Sequence, residues 1–160
     1  MEEPEWLEPE QLQAWRRFTI MHMQLTGRLG QELAADGLSF QDYSILAALS
    51  DATDERERAF SLGHKLGWEK SRLSHHITRM VARGLVTRER CPTDQRGSFV
   101  VMTEAGRAAM VQAAPGHVTA VRRYFIDQLT PEQIRTIDDV SEAVLVALEF
   151  DTLGPDHEAD

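Results

Sequence analysis

Between Ser61 and Met102 the spacing of apolar residues switches from a helical to an extended period, an order of elements that few folds accommodate. Ser61 stands where a cap belongs, Leu62 and Leu66 follow at helical spacing, and Gly67 stops the run. A longer helix is predicted from about Glu69 to Ala82, with Leu73, Ile77, Met80 and Val81 inward and Gly84 closing it. Leu85-Val86-Thr87-Arg88-Glu89-Arg90 then alternates with period two, as a strand with one buried face does. Pro92 to Gly97 reads as a polar turn, and Phe99-Val100-Val101-Met102 returns as the second strand of a hairpin. A short helix, a glycine turn, a second helix and a hairpin have the dimensions of a winged helix-turn-helix.

The flanks are helical. Leu12, Trp15, Phe18, His22, Leu25, Leu29 and Leu33 mark one face of a long first helix that Asp36-Gly37 ends. Ser39 caps a second helix, with Asp42 three residues on and Tyr43, Leu46, Ala47 and Leu49 as its apolar positions. Asp51 to Arg58 reads as a loop and Ala59-Phe60 as a short extended piece. After the hairpin, Thr103 begins a helix expected to kink or break near Pro115-Gly116 and to resume through Leu129. Thr130-Pro131-Glu132-Gln133 is a capping box with proline at the first helical position, and Ile134, Ile137, Val140, Val144 and Leu148 line the last helix. The fold class is therefore mostly α with a small β component.

Charge is distributed unevenly. The whole chain carries −9, yet Arg56 to Arg107 holds 11 Lys and Arg against 5 Asp and Glu, a local +6, leaving −15 elsewhere. Phosphate attraction is screened within about 10 Å, so the local island is the relevant quantity for a nucleic-acid partner. No stretch approaches the ~18 apolar residues of a membrane span, and the acidic start (Glu2, Glu3, Pro4, Glu5) is unlike a signal peptide. One cysteine, Cys91, excludes an internal disulfide and fits a reducing cytoplasm.

With Leu73, Ile77 and Met80 facing the core, helical spacing sends Ser71, Arg72, Ser74, His75, His76 and Arg79 outward. Such a donor-rich face suits phosphate oxygens and the acceptors on guanine and adenine. Arg96 at the hairpin tip, with Arg88 and Arg90 nearby, adds cations that reach an adjacent minor groove or phosphate.

The run Ser61-Leu62-Gly63-His64-Lys65-Leu66-Gly67 resembles the first helix of the multiple-antibiotic-resistance-regulator (MarR) motif. Glu69 to Met80 resembles its recognition helix, and Arg83-Gly84-Leu85-Val86 its lead-in to the wing. Asp94-Gln95-Arg96-Gly97 is similar to its Asp-x-Arg wing tip, and Met102-Thr103-Glu104-Ala105-Gly106 to the start of its next helix. Their order and spacing together make the match specific. The resemblance implies a homodimer on a pseudo-palindromic duplex operator, acting as a repressor or, less often, an activator. Residues 1–36 and 104–153 would supply dimerisation helices, 37–103 the DNA-binding lobe, and 154–160 an acidic tail. It carries over Ser71, Arg72, Ser74, His75, His76 and Arg79 as DNA contacts, Arg96 as the minor-groove residue, and Asp94 as the carboxylate that orients it. It also implies a small aromatic or phenolic effector, for which Trp15, Phe18, His22, Phe40 and Tyr43, with Met21 and Met23, are candidate cleft residues.

Other chemistries find less support. His22, His64, His75, His76, His117 and His157 form no HExxH and no Cys-His cluster, and no nucleophile triad or phosphate loop stands out. The expectation is a non-enzyme without metal or cofactor. Cys91, close to Arg88 and Arg90, makes a redox sensor one alternative function, and a winged-helix module for protein partners is another.

Overall fold

The computed structural model describes residues 3–90 and 98–153, with side chains described as far as Leu148. The chain divides into two compact units, residues 1–120 and 121–160.

In the first unit, helix α1 (Pro9–Ala34) begins where Gln11 Oε1 accepts the Glu8 amide at 2.9 Å. Its end is closed by the Leu38 amide donating to the Leu33 carbonyl, which satisfies one of the last-turn acceptors. Helix α2 (Phe40–Ser50) has the expected reciprocal box: the Ser39 hydroxyl accepts the Asp42 amide at 3.0 Å, and Asp42 Oδ2 accepts the Ser39 amide at 2.9 Å. Ile45, Leu46 and Leu49 of this helix are fully buried and form the centre of the core.

The segment expected as a loop holds a strand, β1 (Arg56–Arg58), preceded by a turn in which Asp54 and Glu55 have φ of 55° and 50°. An Arg-Glu-Arg edge strand carries no apolar residue, so it shows no apolar alternation from which it could be read. Ala59-Phe60, expected as extended, is already helix: α3 spans Ala59–Leu66, so Ser61 lies inside it rather than capping it. Gly67 then turns the chain with φ of 62°, a left-handed conformation that glycine adopts without Cβ strain. Helix α4 (Lys70–Ala82) packs Leu73, Ile77 and Met80 on the core. Val81, expected inward, is exposed: at helical spacing it lies beyond Ile77, the last buried position on that side of α4.

Strands β2 (Val86–Arg90) and β3 (Ser98–Met102) form the hairpin, in register Val86 with Met102 through Arg90 with Ser98. The sheet order is β1-β3-β2, all antiparallel. The alternation read in β2 does not produce a continuous buried face: only Val86 is buried, and Thr87 to Arg90 are exposed. The strand leaves the core after one residue and projects from it.

Helix α5 (Glu104–Tyr124) runs through Pro115 without the expected break. Pro115 and Val111, the residue whose carbonyl would lose its helical donor, are both exposed, so water can satisfy that acceptor. At its start the helix backbone presses on the lobe: a Cβ on Gly106 would lie 2.1 Å from the Leu85 carbonyl oxygen.

In the second unit α5 gives way to a single 3-10 turn, Ile126–Gln128, where helix had been expected to continue to Leu129. Helix α6 (Pro131–Leu153) starts at the predicted box, with Thr130 N–H to Gln133 Oε1 at 2.8 Å and Gln133 N–H to Thr130 Oγ1 at 3.2 Å. Its apolar row, Ile134, Ile137, Val140, Val144 and Leu148, is exposed along its length. On α1, Trp15, Phe18, Ile20, Met21 and Met23 are likewise exposed.

Candidate nucleic-acid interface

Helix α4 presents Ser71, Arg72, Ser74, His75 and Arg79 to solvent, as its spacing predicts, and Thr78 with them. His76 does not belong to that face. It is 8% exposed, and its Nε2 lies 2.9 Å from Asp42 Oδ1. The helical wheel put His76 on the border of the apolar arc; a carboxylate arriving from α2 draws it inward. The expectation of an outward His76 is corrected accordingly.

Several neighbours hold the exposed side chains in place. The Arg72 guanidinium sits 4.8 Å from the centroid of the Trp68 ring, a cation–π contact made from the turn that separates α3 and α4. Arg79 Nη2 lies 2.8 Å from His76 Nδ1. Arg88 Nη2 of β2 donates to the Ser74 carbonyl at 2.7 Å and to Thr78 Oγ1 at 3.3 Å. Arg88 therefore fastens the base of the hairpin to α4.

Asp42 is the buried centre of this arrangement. Its Oδ1 faces His76, and its Oδ2 accepts from the Ser39 amide and from Arg83 Nη1 at 2.7 Å. Burial by itself would raise its carboxyl. The Ser39 amide, the Arg83 guanidinium and the Ser39 hydroxyl outweigh that effect and hold it below the usual carboxylate range. Arg83 also donates to the Gly37 carbonyl, so the turn between α1 and α2, α2 itself and the end of α4 meet at one guanidinium.

Beside α4 lies a shallow groove of about 500 Å³ lined by Gln41, Trp68, Arg72, His75, Arg79 and Arg83, among others. Sequence reasoning missed Trp68, Asp42 and Arg83 as parts of this surface. A signal for Arg83 was present: positions 72, 76, 79 and 83 form one stripe at spacings of four, three and four. Asp42 had no such signal. Asp94, Arg96 and Cys91 lie outside the described residues.

The candidate effector residues fall into separate groups. Trp15, Phe18 and His22 stack along α1 at centroid separations of 6.0 and 6.3 Å. Tyr43 packs on His117 at 4.3 Å. Of the five, only Phe40 lines the larger groove, about 740 Å³, between α1 and α2, together with Met23, Gly27, Gly30, Asp42 and Arg83. Among the described residues no group of three or more His, Cys, Asp or Glu is placed to hold a metal ion. No helix among them is long and apolar enough to cross a membrane.

Helices α3 and α4, joined by a glycine turn and followed by a hairpin anchored to α4, define a winged helix-turn-helix protein. The transcriptional regulator SarA/Rot family matches residues 30–112. AbsC, a MarR family transcriptional regulator from Streptomyces coelicolor, is 40% identical, with 91% of this chain and 99% of that one covered and a TM-score of 0.83. Sco3205, a MarR family regulator from the same organism solved in complex with DNA, is 34% identical over 98% and 97% of the two chains, with a TM-score of 0.83. The repressor YetL of Bacillus subtilis is 27% identical over 116 residues, 71% of this chain and 70% of that protein. The chain belongs to the MarR family of winged helix-turn-helix transcriptional regulators.

Proposed function

We propose that the protein is a homodimeric repressor that reads a pseudo-palindromic duplex by laying α4 in the major groove. The observation that carries this reading is the α4 face itself, where Arg72, His75, Arg79, Ser71 and Ser74 are exposed together above a packed row of Leu73, Ile77 and Met80. Guanidinium and hydroxyl donors on one helix match the acceptor pattern of guanine and adenine edges and of phosphates. That Sco3205, 34% identical, was solved in complex with DNA supports a duplex as the partner. Arg96, with Asp94 orienting it, serves as the wing contact to the minor groove. Binding to the genome belongs in the cytoplasm.

Dimerisation is supported by the exposed apolar rows on α1 and α6, which a solvated monomer would not tolerate over such an area. Two copies related by a two-fold axis would present two α4 helices to half-sites about 10 bp apart. Release by a small aromatic or phenolic ligand completes the proposal. The 740 Å³ groove, with Met23 and Phe40 among its lining residues, offers apolar area to a flat ligand.

Selection of bound duplexes from a random pool tests the reading. The expected product is an inverted repeat whose affinity falls steeply with salt, and replacing Arg72, Arg79 and Arg96 together by Ala abolishes the selection. A pool that stays unenriched, or triple-variant affinity equal to that of the parent chain, overturns it. For the effector, a panel of aromatic carboxylates should include one that releases the selected duplex.

A further inference from the structure

His76 cannot touch DNA from its buried position, yet it is bonded on both ring nitrogens to groups that lead to the binding face. Asp42 Oδ1 stands 2.9 Å from Nε2, and Arg79 Nη2 stands 2.8 Å from Nδ1. A guanidinium has only donors and an ionised carboxylate only acceptors. One arrangement satisfies both: Nε2 carries the proton and donates to Asp42, and Nδ1 accepts from Arg79. Trp68 abuts the ring edge-on at 5.5 Å, and Asp42 is itself anchored by Arg83 and the Ser39 amide. The orientation of the imidazole is thus set by α2 and transmitted to an exposed arginine of α4.

We propose that His76 is a positioning residue of the DNA-binding face, holding Arg79 through Nδ1 while Asp42 holds His76 through Nε2. A free arginine carries many rotamers, and ordering them on binding weakens affinity. Engaging one of the five guanidinium donors removes much of that freedom and leaves the others for a phosphate or a base edge. The logic is that of a histidine whose second nitrogen is fixed by a carboxylate so that the first presents a defined lone pair. This inference rests on the proposed DNA-binding role of α4.

The test is a double-mutant cycle on the tightest duplex recovered from the random pool, read by fluorescence anisotropy at fixed salt. Arg79→Ala is expected to weaken binding about 10-fold and His76→Met about 5-fold, with the double variant no weaker than Arg79→Ala alone. His76→Gln, whose amide can donate to Asp42 and accept from Arg79, recovers most of the loss. If His76→Met costs the same factor with and without Arg79, the positioning role is overturned while the DNA-binding face stands. If neither Arg79→Ala nor Arg72→Ala alters affinity, the reading of α4 as that face is overturned, and the inference with it. A measurement independent of any core substitution is the nitrogen-15 spectrum of His76 in the parent chain. It should show the Nε2-protonated tautomer, with an Nδ1 resonance that moves in Arg79→Ala; the opposite tautomer overturns the proposal.

Discussion

Asp42 Oδ2 and Arg83 Nη1 meet at 2.7 Å, joining the first turn of α2 to the residue that caps α4 across 41 positions of sequence. The carboxylate is 4% exposed and the guanidinium 43%. A carboxyl held below its ordinary 3.8 in the folded state stabilises the fold above that value, and the contribution is lost as pH falls through the folded-state value. Asp42→Asn should cost about 2 kcal/mol at neutral pH, less than a fully buried pair because Arg83 remains wet. Urea titrations should show the difference from the parent chain shrinking as pH drops below about 4.

His117 packs on Tyr43, and burial pushes its imidazole below 6.5 while pushing the Tyr43 phenol up. Below 6.5 the unfolded chain takes up a proton that folded His117 resists, so its contribution favours folding less as pH falls. His117→Phe should flatten the stability profile between about pH 5 and pH 8, measured as the urea midpoint. A profile unchanged from the parent would contradict the assignment.

Gly106 and Gly67 are predicted to differ in their tolerance of alanine. A Cβ at Gly106 meets the Leu85 carbonyl oxygen at 2.1 Å, which rigid backbone cannot relieve, so Gly106→Ala should cost about 3 kcal/mol or more. Gly67→Ala meets nothing within 4 Å and suffers only the left-handed φ of 62°, a cost of about 1 kcal/mol. Thermal unfolding of the two variants checks the ranking.

Arg88 bonds to α4 rather than standing free, so Arg88→Ala should loosen the hairpin. Duplex affinity is expected to fall by about 1 kcal/mol, with the slope of log affinity against log salt unchanged. A reduced slope would instead identify Arg88 as a direct phosphate contact.

Replacing Val140 and Val144 together by Glu places charge on the exposed row of α6. Sedimentation equilibrium should then report the 18.1 kDa chain rather than twice that mass, and duplex affinity should collapse with it. A parent chain that already sediments at 18.1 kDa would remove the dimer from the proposed mechanism.

The most legible features were those governed by local chemistry. Ser39 with Asp42 and Thr130 with Gln133 announce helix starts because each box closes within four residues, and the pairing of β2 with β3 follows from two extended runs close in sequence. The exposed donors of α4 were legible for a related reason: Leu73, Ile77 and Met80 orient the helix, and the rest of the wheel follows. β1 was illegible because a charged edge strand exists only by virtue of β3, more than forty residues later. Pro115 misled because a helix break depends on whether the orphaned carbonyl can reach water, which is a property of the fold.

By itself, the chain's order of residues determined the succession of helices and hairpin, the family resemblance, and which cations could share a face. Only the tertiary structure decided that His76 turns inward, that Arg88 braces the wing, and that Asp42 links α2 to α4. Periodicity encodes neighbours three or four positions apart along one helix. A partner 34 residues distant, as Asp42 is to His76, is supplied by packing of whole elements, and no local pattern records it.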